Sequence, residues 1–159
     1  MRRVLLASCC LLVFASVTMA QDKIDSKWHC KQAAEQKFDI GDQPDHSYAI
    51  AQGSCDATSS DSGFAEKTGA WTETAEHWES SSTVHGRMIV TMDNGEKVYY
   101  SYDGTRSPEK KTATDRVKIV SGTGKYKGVK GAATCSGTLG DDNTSDWTCT
   151  GTYSTGTGK

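Results

Sequence analysis

Arg87-Met-Ile-Val-Thr-Met-Asp-Asn-Gly-Glu-Lys-Val-Tyr-Tyr-Ser-Tyr102 decides the fold class. Two runs rich in β-branched and aromatic residues flank Asn94-Gly95, a pair able to take the positive φ angles of a two-residue type I′ turn. This reading makes the segment a β-hairpin in which Val90 faces Tyr99 and Ile89 faces Tyr100. Both faces are then apolar, Met88, Val90, Met92 and Tyr99 on one side, Ile89, Val98, Tyr100 and Tyr102 on the other. A hairpin apolar on both sides belongs either at the centre of a sheet or in a subunit interface.

Working outward, short alternating runs broken by Gly, Asn, Asp and Ser predict eight strands, near 26–34, 46–55, 66–79, 83–93, 96–103, 113–121, 128–137 and 146–154. No segment carries a helical stripe, and only Cys30 to Phe38 is composed of reasonable helix formers. Strands of even spacing in antiparallel succession predict an all-β fold, a closed barrel or a sandwich. Closure has the advantage of removing edge strands. The third strand is long, and Gly69 offers a place for it to bend.

The chain has 159 residues. Residues 1–20 read as a cleaved signal peptide: a basic start at Arg2-Arg3, an apolar run, and small residues before Gln21. Residues 21–159 then form one domain in a secreted or periplasmic protein. Lipidation at Cys9 is disfavoured, because only five residues separate it from Arg3. The full chain carries a formal net charge of −2, and loss of the two leader arginines makes it −4. An acidic balance argues against nucleic acid or anionic lipid as partner, and no segment after the leader is apolar enough to cross a membrane. Four cysteines remain after the leader, Cys30, Cys55, Cys135 and Cys149. An even number in an exported chain reads as two disulfides. Cys30 and Cys55 are symmetric about Asp42-Gln43, and Cys135 and Cys149 about Asp142, so each pair faces across one hairpin. A zinc site would need closer Cys and His spacing than this sequence has.

Val120-Ser-Gly-Thr-Gly-Lys-Tyr-Lys-Gly-Val-Lys-Gly131 is the most distinctive stretch. Gly122, Gly124, Gly128 and Gly131 around Tyr126 predict a tight turn with the tyrosine packed beneath it. The run resembles the Gly-Thr-Gly-x-aromatic-x-x-x-x-Gly signature of the allene oxide cyclase and dirigent barrels, and especially their exported bacterial relatives. Trp28-His-Cys30, Asn94-Gly95 and the Cys135…Trp147-Thr-Cys149 hairpin are similar too. The resemblance implies an eight-stranded antiparallel barrel with an apolar lumen, in a superfamily that often forms trimers. It transfers no functional residue: no acidic residue of this chain aligns with the glutamate of the cyclases or the acidic residues of dirigent proteins.

The candidate ligand-binding residues are Trp71, Glu76, Trp78, His85 and Arg87. A turn at Ser81-Ser82 would set Glu76 opposite Arg87 and Trp78 opposite His85. If that face is the lumen, a carboxylate, a guanidinium, an imidazole and an indole could grip a small aromatic anion. The competing reading is an exposed cross-strand ion pair. Glu73, His77 and Glu79 alternate on the opposite face, read as solvated, and the lysines at 125, 127 and 130 read as a basic surface or an anion patch. No catalytic triad, phosphate loop, nucleotide fingerprint, metal site or cofactor site is expected. Three functions remain: a barrel binding a small hydrophobic or aromatic anionic molecule without catalysis, a structural module with a filled lumen, or a cofactor-free isomerase or cyclase. A homo-oligomer, dimer or trimer, is a further possibility.

Overall fold

The computed structural model describes residues 21–156, so the signal-peptide expectation for residues 1–20 lies outside the described residues. Eight antiparallel strands close into a barrel: β1 (Asp22–Asp39), β2 (Ser47–Ser60), β3 (Glu66–Trp78), β4 (Ser81–Met92), β5 (Lys97–Ser107), β6 (Thr112–Gly122), β7 (Lys130–Leu139) and β8 (Thr144–Ser154). Each strand pairs with its successor, and β8 returns to pair with β1 from Asp22–Tyr153 to Lys31–Thr144. The all-β barrel and both disulfides, Cys30–Cys55 and Cys135–Cys149, follow the sequence reading. Each cysteine pair sits directly opposite across its hairpin. Disulfides of this kind fit an oxidising, extracellular or periplasmic environment. Among the described residues no helix is long and apolar enough to cross a membrane.

Two turns differ from expectation, and each difference has a geometric consequence. In the central hairpin Val90 pairs with Val98 and Ile89 with Tyr99, one residue away from the expected register. Only Gly95 has positive φ (82°), and Met92 N–H bonds Glu96 O across a three-residue loop (2.9 Å). This is a turn closed by a glycine bulge, not a two-residue type I′ turn. A one-residue shift exchanges faces. Met88, Val90, Met92, Val98, Tyr100 and Tyr102 therefore all face inward, while Ile89 and Tyr99 lie outside. The hairpin is amphipathic, and the doubly apolar reading falls with the register that required it.

The second difference is at the serines. Trp78 pairs with Ser81, so Glu79 and Ser80 make the turn, and Ser81 and Ser82 belong to β4. Glu76 then pairs with Thr83 and Arg87 with Thr72. β1 also outruns its expected bounds. Ladder pairing to β2 carries it through residues of modest strand preference to Asp39, with a bulge at Ala33.

One end of the barrel is sealed. Phe64, Tyr126, Val129 and Tyr153 are buried there, with the Phe64 ring 4.3 Å from Tyr153 and edge-on to Tyr126 at 5.5 Å. Tyr153 Oη donates to Gly63 O (3.1 Å), tying the last strand to the β2–β3 loop. Tyr126 closes a single 3-10 turn, Gly124–Tyr126, that follows β6. Gly124 has φ +53° there, and a side chain at this position would collide with Glu96.

Candidate functional site

Above this floor the barrel encloses a lumen of about 430 Å³ that reaches the turns at the opposite end. The volume suits a small organic molecule. Three of the four tryptophans, Trp28, Trp71 and Trp147, line it, with Met88, Val84, Val90 and Val117 between them. The hollow depends on a pairing of large with absent side chains. Trp71 lies across Gly53 of β2, where a Cβ would stand 2.5 Å from the indole. Tyr102 lies likewise across Gly86 of β4, with 2.0 Å between a Cβ and the ring. Large residues can thus lie along the wall instead of filling the centre. Both disulfides also line the lumen.

Polar groups occur at three levels. Near the floor Glu66 is buried, and Tyr100 Oη donates to its Oε1 at 2.7 Å. Burial raises the Glu66 carboxyl above its ordinary range, opposed by hydrogen bonds from Tyr100 and Ser26. Its Oε2 has no hydrogen-bond partner.

At mid-wall Arg106 joins two acids. It meets Asp115 through both terminal nitrogens (2.5 and 3.3 Å) and Glu73 Oε2 at 3.4 Å, while Tyr102 Oη donates to the same Glu73 oxygen at 3.0 Å. The guanidinium also lies over Trp147, 4.9 Å from the ring centroid. Burial raises both acids, Glu73 and Asp115, against the pull of Arg106. The Tyr102 phenol is pushed up by burial and by the Glu73 charge, so it serves as a neutral donor.

At the mouth His77 bonds Ser82 Oγ (2.7 Å), and its Nε2 stands 4.0 Å from Glu35. Burial lowers the His77 imidazole below its ordinary value, which favours the neutral ring.

The expected site residues divide between the two surfaces. Trp71 lines the lumen. Glu76, Trp78, His85 and Arg87 are absent from its lining and occupy the outer face of β3 and β4. The turn shift is even, so the four still share a face, but Glu76 and Arg87 now lie four residues apart along the strands, about 13 Å. Each has another partner. His85 bonds Asp103 at 2.6 Å, and Arg87 reaches the Gly86 carbonyl. Glu76 holds His46 Nε2 (3.0 Å), whose Nδ1 bonds Asp42 (2.6 Å), and Trp78 stacks on that imidazole 5.6 Å away. The Asp42 and Glu76 carboxylates raise the His46 pKa.

The face read as solvated, with Glu73 and His77, is the lumen face. The sequence reading missed Glu66, Arg106 and Asp115 altogether. Among the described residues, no group of three His, Cys, Asp or Glu side chains converges as a metal site would require.

No family model matches the chain, and no curated protein matches it. Among solved structures, a pyocyanin demethylase is similar, with 15% sequence identity and a TM-score of 0.46 over 80% of this chain and 98% of that one.

Proposed function

We propose that the lumen binds a small, flat, mainly apolar molecule, held between indole faces and oriented by the acids at mid-wall. The carrying observation is the Glu73–Tyr102–Arg106–Asp115 cluster on a wall built from Trp28, Trp71 and Trp147. Aromatic walls supply area for stacking, and a few convergent polar groups set orientation.

Charge decides the ligand's polar end. A lumen containing Arg87 would suit an aromatic anion, but Arg87 lies on the outer face. Within, Glu35, Glu66, Glu73 and Asp115 face one guanidinium, Arg106, whose charge is already shared by two carboxylates. The lumen therefore favours an aromatic cation, or a neutral aromatic presenting hydrogen-bond donors, over an anion. The open volume weighs against a structural module with a filled lumen. In this reading the protein is an exported carrier or scavenger, and the glycine motif and barrel keep it close to the allene oxide cyclase-like barrels.

The test is quenching of tryptophan fluorescence in a Trp78→Phe background, which leaves only the lumen indoles as reporters. Proflavine serves as the flat cation and anthracene-9-carboxylate as the flat anion. Proflavine is expected to bind saturably and more tightly than the carboxylate, with Glu73→Gln weakening it about tenfold, the scale of a partly buried charge-assisted contact. Preference for the carboxylate, or proflavine binding indifferent to Glu73→Gln, would overturn the assignment.

A further inference from the structure

β1 outruns one of its neighbours. Its ladder to β8 stops at Lys31–Thr144, followed by one bond from Gln32 N–H to Asn143 O (2.9 Å), whereas its ladder to β2 continues to Asp39–Ser47. Residues 33–39, Ala-Ala-Glu-Gln-Lys-Phe-Asp, thus carry a strand edge with no neighbour among the described residues, and all seven are exposed. Alternation can be counted from the Ile40 N–H to His46 O bond (3.1 Å). It directs the backbone groups of Glu35, Lys37 and Asp39 away from β2, toward the open edge.

Open edges are templates for pairing, and native sheets protect them with proline, bulges, short length or charged side chains, lysine above all. This one has no proline, and beyond the bulge at Ala33 its register to β2 is unbroken from Ala34 to Asp39. Its edge charges, Glu35 and Lys37, are of opposite sign, so they discourage an arbitrary strand but can complement each other in a second copy.

We infer that this edge pairs antiparallel with the same edge of a second copy, about a two-fold axis at Gln36. Two independent features choose that axis. The open stretch runs from 33 to 39, so its midpoint is Gln36. Beyond Asp39 the chain turns back through Gly41 (φ +79°) and Asp45 (φ +58°), which limits the pairing to that stretch.

Charge selects the same register. With the axis at Gln36, Glu35 of each copy lies opposite Lys37 of the other, giving two opposite-charge pairs. An axis at Lys37 would set lysine on lysine and Glu35 on Asp39, and an axis at Glu35 would set glutamate on glutamate. Like charges directly opposite are destabilising, so the alternatives are selected against. On the outer face Phe38 would lie beside Ala34 of the second copy, next to exposed Tyr48 and Ile50. On the inner face Lys37 of the second copy would stand beside Glu35, which lines the mouth of the lumen near His77. The assembly would thereby add a cation to each mouth.

Sedimentation velocity on residues 21–159, from low to high micromolar concentration, tests the pairing. A concentration-dependent dimer is expected. Lys37→Glu and Glu35→Lys should each weaken it at least about tenfold, because each converts both pairs into like-charge pairs. The double swap E35K/K37E restores opposite charges and should restore the dimer. Lys37→Pro removes an edge N–H that does not bond β2, and should abolish dimerisation while leaving the far-UV spectrum intact. A monomer throughout, a trimer, or a dimer unmoved by Lys37→Glu would overturn the inference, as would failure of the double swap to restore association.

Discussion

Truncating Phe64 to alanine probes the sealed floor. The side chain is 1% exposed and contacts the rings of Tyr126 and Tyr153. Buried Phe→Ala changes cost about 3–5 kcal/mol, and loss of two aromatic pairings places this one in the upper half, about 4–5 kcal/mol. The backbone network is untouched: Phe64 O still accepts from Ser60 Oγ (2.8 Å) and Glu66 N–H (2.9 Å). For a domain of roughly 140 residues the unfolding entropy is about 0.3 kcal/mol per kelvin, so the midpoint should fall by about 13–17 °C. Urea titration followed by tryptophan fluorescence gives the free energy, and calorimetry gives the midpoint. An unchanged urea slope would show that the loss belongs to the folded state. A loss below about 1.5 kcal/mol would refute the reasoning, because a residue that cheap to truncate is not part of a close-packed seal.

Two more outcomes follow from the buried groups. Glu66 is raised from its ordinary value of 4.5 by burial, so its contribution to stability is complete below that pH and is lost as pH rises through the folded-state pKa. Glu66→Gln should therefore gain stability relative to the parent as pH rises above that ordinary value. A pH-independent difference in melting temperature would contradict this. Removing Cys30–Cys55, which spans 25 residues, should cost about 3.5 kcal/mol, and removing Cys135–Cys149, which spans 14, about 3 kcal/mol. Denaturation of the double-alanine variant of each pair measures both, and a loss under about 1 kcal/mol for either would show that the unfolded chain holds that hairpin together without its crosslink.

The barrel was legible because its signals are local. Turn residues recur between alternating runs, and the cysteines mark their own hairpins by symmetry. Turn register was much less legible. Asn94-Gly95 admits both a two-residue and a three-residue loop, and their difference moves every side chain of β5 to the other face relative to β4. At Glu79–Ser82 four polar residues offer several equivalent turns, and the ladder to β4 decides among them.

The face of β3 was the costliest misreading. Ala70, Thr72, Thr74, Glu76 and Trp78 are as mixed as Trp71, Glu73, Ala75 and His77, so periodicity alone does not separate outside from inside. Asp115 and Arg106 come together only through the β5–β6 register. One signal was present: on β5 the alternate set Val98, Tyr100, Tyr102, Gly104, Arg106 is apolar at its start, and it carries the arginine inward at its end. Glycines opposite Trp71 and Tyr102 were a second sign of side chains lying flat along a wall.

Each disulfide joins a strand of the closing ladder to its hairpin partner: Cys30 lies on β1 and Cys149 on β8, yet no covalent bond links β1 to β8. Both crosslinks can form in a chain whose two halves have never met, so oxidation during synthesis need not wait for the ring to close. Once formed, they make two rigid staves on either side of a joint held by backbone hydrogen bonds and packing alone. Parting the barrel along that joint would break no covalent bond and would leave every cysteine paired, so reduction of the disulfides does not act on the seam directly.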